Sequence, residues 1–431
     1  MRVLMFGWEF PPHIAGGLGT ACEGIVKGLA NNGVESIFVM PSASGDEDQT
    51  YTRIINASDI AISNVSETVE EFIDKVKFIN VDSNLVPYTD PDEYFEAIER
   101  MKRSSLSETV VGFGQKFKFS GKYGANLLEE VSRYAQVGGS IAVEYQNDFD
   151  VIHSHDWLTY LAGIAAKELT GKPLVVHVHA TSFDRGTDDM VDSRVYNIER
   201  RGMEAADRVV TVSDLTRNIV INKYGIDPSK VVTVHNAVDF SGRENINVNR
   251  HIKDKVVTFL GRITFQKGPE YFIDAAAKVL KRTRNVRFVM AGSGDMMNRA
   301  IRQVARLGIS DRFHFTGFLR GKEVQEMFAM SDVYIMPSVS EPFGISPLEA
   351  MRSNVPSIIS HQSGAAEVLR YALKVDFWDV DSMADDIYAL VTYPALSEFA
   401  SKQGFQEVNE LKWNNAAAKL KKVYESVINN G

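Results

Sequence analysis

Two glutamates eight residues apart, Glu341 and Glu349, stand in Pro337-Ser-Val-Ser-Glu-Pro-Phe-Gly-Ile-Ser-Pro-Leu-Glu-Ala-Met351, one in a loop after a strand and one about a turn inside the next helix. A loop carboxylate there can meet a sugar hydroxyl beside a reacting carbon. The N–H groups of Phe343, Gly344 and Ile345 can face a phosphate, and Glu349 can accept from ribose hydroxyls. The plainer reading has Glu341 capping the helix and Glu349 on its wet face. A second segment, Gly261-Arg-Ile-Thr-Phe-Gln-Lys-Gly-Pro269, offers Arg262 as a bidentate fork and Lys267 as a point charge, both suited to the oxygens of a diphosphate. The same two cations also read as ordinary solvated surface residues. A third, Trp8-Glu-Phe-Pro-Pro-His-Ile-Ala-Gly-Gly-Leu-Gly19, precedes a helical pattern over Ala21–Ala30, so backbone N–H groups at Gly16 and Gly17 could approach an anion, or the glycines could serve only a tight turn.

Histidines form another constellation. His153 and His155, like His177 and His179, lie at i and i+2 on strands and so share a face, a spacing that suits Zn²⁺ and makes a metal hydrolase the rival enzyme class. The carboxylate and histidine ligands that would complete a two-metal site are not evident, and the expectation is no metal. Phe113-Gly-Gln-Lys-Phe-Lys-Phe-Ser-Gly-Lys-Tyr-Gly124 interleaves aromatics with lysines. It reads as a sugar-stacking platform, a membrane-touching loop, or a hairpin with one wet and one buried face. A helix follows over Tyr123–Ala142.

The elements that must position these residues alternate between short Val/Ile-rich runs and amphipathic stretches, the pattern of βα units feeding a parallel sheet, so the fold class is α/β. Strands are expected at Val3–Phe6, Ser36–Met40, Lys77–Val81, Asp150–His153, Leu174–His179, Arg208–Val212 and Val231–His235. A second run follows at Val256–Leu260, Val286–Ala291, Phe313–Phe315, Val333–Met336, Ser357–Ser360 and Leu373–Val375. Between the runs, Asp239–Asp254 is polar and lacks either period, as a linker should. Two doubly wound sheets place ligands at the carboxyl ends of their strands, where the segments above fall.

Composition sets the outer limits. Apolar residues are 44% and charged residues 24%, which excludes collagen-like, low-complexity and wholly disordered classes. A net charge of −9 is a poor field for a polyphosphate backbone, so nucleic acid is not the expected partner. Cys22 is the single cysteine, which leaves no internal disulfide or thiolate cluster and fits a reducing compartment. The first six residues are too short an apolar run for a signal peptide, and no run reaches the ~18 residues that span a bilayer, so a soluble cytoplasmic protein is expected.

Taken in order, Gly16-Gly17-Leu18-Gly19, His155-Asp156-Trp157, His179, Val212-Ser213, His235-Asn236-Ala237-Val238-Asp239, Gly261-Arg262 with Lys267-Gly268, and Glu341 with Glu349 resemble the retaining nucleotide-sugar glycosyltransferases of family 4. More distantly they are similar to bacterial and archaeal glycogen and starch synthases, and the likeness covers nearly the whole chain. It implies a GT-B fold of two Rossmann-like domains with a donor cleft between them. An acceptor-side domain would span residues 1–245 and a nucleotide-sugar domain 246–410, with a final helix over 411–431 crossing back to the first. Arg262 and Lys267 would clamp the diphosphate, Glu341 would contact the donor sugar, Glu349 the ribose, and His179 the sugar.

Gly16, Gly17, Phe343, Gly344 and Ile345 would lie against the donor, and Gly294, Phe318 and Leu319 would flank its base. Asp156, Trp157 and Asn236 would face the acceptor or sugar. One departure stands out: bacterial glycogen synthases open the first loop with Lys-Thr before Gly-Gly-Leu, and this chain has Ile14-Ala15. The implied function is transfer of a hexosyl unit, glucose, from a UDP- or ADP-sugar to a hydroxyl of a carbohydrate acceptor, an α-glucan. The implied mechanism is retention by front-face attack with no obligatory cofactor. A lipid or small-molecule acceptor is the alternative within the family, and a non-catalytic sugar-nucleotide sensor the alternative outside it. Sequence leaves the oligomeric state open.

Overall fold

The computed structural model describes residues 1–14, 16–62, 116–124, 126–186, 191–238, 248, 250 and 252–429. The expected strand at Lys77–Val81 and most of the linker at 239–254 lie outside them. The chain divides into two compact units, Met1–Phe183 with Thr187–Ala237 and Trp413–Gly431, and Asp184–Gly186 with Val238–Lys412.

The first unit is built on a seven-stranded, wholly parallel sheet in the order β3-β2-β1-β4-β5-β6-β7. Its strands are β1 Arg2–Phe6, β2 Glu35–Met40, β3 Arg53–Asn56, β4 Val151–His155, β5 Leu174–Val178, β6 Arg208–Thr211 and β7 Val231–Thr233. The central strands are apolar on both faces, as helix-covered parallel strands must be. Leu4, Phe6, Ile152 and Val176 join the core under the helices Leu127–Glu144 and Trp157–Thr170. Val3, Met5, Val151 and Val175 join the core under Gly17–Asn31 and Trp413–Ile428. Those last two helices cross closely because Gly24 and Gly28 present no side chain to Trp413, and a Cβ at Gly24 would lie 2.2 Å from the indole. Leu420, Val423, Tyr424 and Val427 complete the contact, each buried side chain adding ~1.5–3 kcal/mol of transfer free energy. Edge strand β3 escapes sequence reading because it is four residues long and only Ile55 is buried, so no period develops.

Phe117, Phe119 and Tyr123 distinguish among the three readings of their segment. They are buried against the core that contains Tyr134, while Lys116, Lys118 and Lys122 stay exposed. The described part of the segment therefore has one wet and one buried side, and its aromatics form neither a sugar platform nor a membrane loop. The helix that follows runs Leu127–Glu144.

The second unit carries a six-stranded parallel sheet in the order β10-β9-β8-β11-β12-β13. Its strands are β8 Lys255–Leu260, β9 Val286–Ala291, β10 Phe313–Gly317, β11 Val333–Met336, β12 Ser357–Ser360 and β13 Leu373–Val375. Helix Pro269–Arg282 packs on Val380–Thr392 and Met297–Arg306, and Ser346–Arg352 packs on Pro394–Val408. No helix among the described residues is long and apolar enough to cross a membrane.

Candidate active site

All six strands of the second sheet point the same way, so the loops leaving their carboxyl ends gather at one edge. Backbone bonds stitch those loops together past the ends of the ladders: Gly292 N–H donates to Gly317 O at 2.8 Å, Gly261 N–H to Ala291 O at 3.0 Å, and Val339 N–H to Gln266 O at 2.8 Å. Gly261-Arg262, Gly292–Gly294, Gly317–Leu319 and the loop after β11 thus become neighbours along this edge. Two glycines allow it. Gly268 sits at φ +65°, where an added Cβ would come 2.1 Å from the Pro337 carbonyl, and a Cβ at Gly294 would lie 2.3 Å from the Ile263 carbonyl. Gly294 thus has a packing reason to be glycine.

Lys267 and Glu341 meet in this edge. The Lys267 ammonium is ion-paired with Glu341 Oε2, and the two side chains are only 19% and 9% exposed. Ser338 Oγ stands 3.5 Å from the same oxygen. The Glu341 backbone is fixed on both sides, its N–H donating to Gln362 O at 2.9 Å and its carbonyl accepting from Gly364 N–H at 2.9 Å. Arg262 is half-buried and reaches Gln266 Oε1 at 3.5 Å. Beneath these groups the Tyr334 hydroxyl donates to Ser346 Oγ at 2.8 Å. Its acidity is suppressed first by burial and then by the charges of Glu341 and Glu349.

Phe343 is buried, so it can offer a ligand only its backbone, and its carbonyl already accepts from Ala365 N–H at 2.7 Å. Gly344 adopts φ +92° and Ile345 precedes the helix Ser346–Arg352, whose first turn holds Glu349. Phe318 is 55% exposed with the Arg320 guanidinium 5.2 Å from its ring centre, and Leu319 is half-buried beside it.

In the first unit, His179 follows β5 and is half-buried, its Nε2 lying 3.0 Å from His155 Nδ1. His153, His155, His177 and His179 form one layer on the face shared with Tyr424, whose hydroxyl lies 2.8 Å from His153 Nδ1. Burial lowers all four pKa values, His153 and His179 to about 3, with neighbouring imidazoles lowering His155 and His177 further. The layer is neutral at physiological pH. Ring nitrogens of His153, His155 and His177 lie within 4.8 Å of one another and could geometrically hold a cation. The rings are nearly stacked, His153 on His177 at 19° and His155 on His177 at 27°, and this group of three includes no carboxylate to offset a buried dication. The arrangement suits neutral packed imidazoles better than a hydrolase centre.

Asp156 does not present a free carboxylate to an acceptor: its Oδ1 accepts from His179 N–H at 2.7 Å and Ala180 N–H at 3.3 Å. Its own backbone is held at φ +58°, a conformation that costs ~1–3 kcal/mol and that the surrounding bonds must maintain. Asp156 therefore positions the His179 turn. Trp157 is a second correction, because its ring is 2% exposed in the core and cannot stack on a sugar. Asn236 is buried, with Oδ1 lacking a hydrogen-bond partner among the described residues. Gly16 and Gly17 are exposed at the start of helix Gly17–Asn31. Sequence reading missed Glu9, which is buried and accepts from Gly19 N–H at 3.0 Å, so a carboxylate already meets part of that helix's positive end. Its position three residues after the end of β1 was the available signal.

This strand-end arrangement agrees with what the chain is similar to. Residues 243–406 match the model of glycosyl transferases group 1, and residues 112–241 match that of glycosyltransferase family 4. The chain belongs to the group 1, family 4 glycosyltransferases. An uncharacterized glycosyltransferase of Methanocaldococcus jannaschii is 27% identical over 99% of this chain and 98% of its own length. A glycogen synthase of Mycobacterium tuberculosis is 21% identical over 98% and 94%. The Anabaena protein HepE, solved in complex with UDP and glucose, superposes with a TM-score of 0.67 at 14% identity, covering 99% and 100% of the two chains. The fold is therefore that of the GT-B glycosyltransferases, and the protein is a transferase enzyme.

Proposed function

We propose that this glycosyltransferase moves a glucosyl unit from a nucleoside-diphosphate glucose to a hydroxyl of an α-glucan with retention of configuration. The largely buried Lys267–Glu341 pair carries the reading: it brings a cation and a carboxylate together, five residues along the chain from Arg262, at the edge where α/β sheets take their ligands. Support for the donor comes from the UDP and glucose in HepE, and for the glucan from the name of the mycobacterial relative.

Cleavage breaks the bond from the anomeric carbon to the diphosphate oxygen, whose electrons stay on the leaving group while the sugar gains oxocarbenium character. Cations already fixed at that oxygen stabilise the transition state more than the ground state. Arg262 supplies the fork and Lys267 the point charge. As Lys267 turns to the diphosphate it releases Glu341 to accept a hydroxyl of the donor sugar, so donor binding exchanges one ion pair for another. Backbone N–H groups at Gly344 and Ile345 add dipoles, and Glu349 takes the ribose. The acceptor oxygen attacks the face the phosphate leaves, and its proton passes to the departing phosphate oxygen. His179, neutral and held by His155 and Asp156, donates to or accepts from a sugar hydroxyl without introducing charge.

The test is a panel of UDP-, ADP- and GDP-glucose offered with maltoheptaose, followed by nucleotide release and NMR of the product anomeric proton. An α-linked product from one donor supports the reading. Nucleotide release only with a lipid or small-molecule acceptor replaces the glucan, and no release from any of the three donors overturns the glucosyl-donor reading.

A further inference from the structure

Trp8, Trp157 and Trp413 are buried, whereas Trp378 is 57% exposed at the carboxyl end of β13, the same edge that carries Glu341. Its ring is held. Phe377 meets it edge-to-face at 4.7 Å and 84°, and Tyr271, in the first turn of Pro269–Arg282, meets Phe377 at 5.1 Å and 65°. Gln362 ties this aromatic run to the candidate site. Its backbone carbonyl accepts from Glu341 N–H, its Oε1 accepts from Phe377 N–H at 3.4 Å, and its Nε2 donates to Asp376 Oδ1 at 2.8 Å. Asp379 follows the ring and caps the next helix by accepting from Ser382 N–H at 2.9 Å.

A large apolar face left in water costs free energy unless something covers it, and a ring already fixed loses little rotamer entropy on being covered. The surroundings say what fits. Residues 375–401 contain six Asp or Glu and no Lys or Arg; Asp381 and Asp385 are ion-paired with Lys278 and Arg282, while Asp376 and Asp379, on either side of the ring pair, are bonded to Gln362 and Ser382. Asp386 is raised to about 6, by burial first and then by Asp385 and Asp379. Asp376 and Asp379 beside the ring repel anionic phospholipid headgroups and nucleic acid, while a neutral polyol is not repelled. A pyranose has an apolar C–H face to lie on indole and hydroxyls to donate to carboxylates such as Asp376 and Asp379.

We propose that Trp378, braced by Phe377 and Tyr271, is a glycan-binding platform that holds a neutral oligosaccharide chain beside the Glu341 loop. This deepens the glucan reading and rests on it for the choice of sugar, but binding here needs no chemistry. Wild type, Trp378→Ala and Trp378→Phe are titrated with maltoheptaose by calorimetry, with UDP as the control ligand and phosphatidylglycerol vesicles as a second surface. Expected is a loss of about tenfold or more in maltoheptaose affinity for Trp378→Ala, substantial recovery in Trp378→Phe, and unchanged UDP affinity in both. Trp378→Ala binding maltoheptaose within twofold of wild type, or wild type that binds UDP but no maltoheptaose, overturns the platform and leaves the donor reading intact. Trp378-dependent binding to vesicles in place of sugar overturns it too. Failure of wild type to bind UDP while the platform holds maltoheptaose sinks the donor reading and spares this one.

Discussion

Replacing Lys267 by Met leaves the Glu341 carboxylate 9% exposed, with Ser338 Oγ at 3.5 Å and its ionic partner gone. Removing one member of a fully buried pair costs ~3–5 kcal/mol because the other charge stays desolvated. Lys267 keeps 19% of its side chain in water, which brings the expectation to about 2–3 kcal/mol. The double variant Lys267→Met/Glu341→Gln removes both charges and should recover most of that loss. Denaturant unfolding of wild type, both single variants and the double variant gives the coupling energy directly. Activity follows a different pattern, since the double variant lacks both the cation for the leaving group and the sugar carboxylate. Turnover should fall by ~10²–10³ in Lys267→Met and remain low in the double variant. A single variant as stable as wild type, or a double variant no more stable than the single, refutes the coupled pair, and wild-type turnover in Lys267→Met refutes its role in transfer.

Arg262→Ala should lower kcat by ~10²–10³, checked by steady-state nucleotide release. Gly268→Ala forces a Cβ to within 2.1 Å of the Pro337 carbonyl at φ +65°, so loss of more than ~2 kcal/mol in unfolding free energy is expected together with loss of donor binding. The histidine layer sets a pH dependence. Folded pKa values lie below the unfolded value of ~6.5, so the unfolded chain binds more protons, and stability is full above pH ~6.5 and falls as pH drops toward about 3. Each such histidine contributes at most ~1.4 kcal/mol per pH unit in that window, and denaturant midpoints at pH 7.5 and 5.5 measure the sum. Asp156→Asn retains an acceptor oxygen but weakens the bonds to His179 and Ala180 N–H, so kcat should fall about tenfold or more with nucleotide affinity unchanged, read from kcat against UDP binding.

The βα rhythm was legible because parallel strands buried on both faces read as continuous Val/Ile runs, and β1, β4, β8 and β9 appear close to where those runs fall. Glycines and charged residues after strands marked the carboxyl edge for the same topological reason. Partnerships were not legible. Nothing in the spacing of Lys267 and Glu341 says that they pair, because that contact depends on β8 and β11 being neighbours in the sheet. Trp157 and Asp156 show the opposite failure: a Trp beside a strand end looks available to a sugar, yet the helix that begins there turns it inward, and the carboxylate is consumed by backbone N–H groups. Glu9 went unread because a single carboxylate beside a glycine loop carries no periodic signal.

The most direct measurement is a crystal structure with UDP bound. The account predicts the diphosphate within hydrogen-bonding distance of Arg262 and Lys267, ribose at Glu349, and Glu341 released from its lysine. UDP lodged away from the strand ends of the second sheet, with the Lys267–Glu341 pair intact, would contradict it.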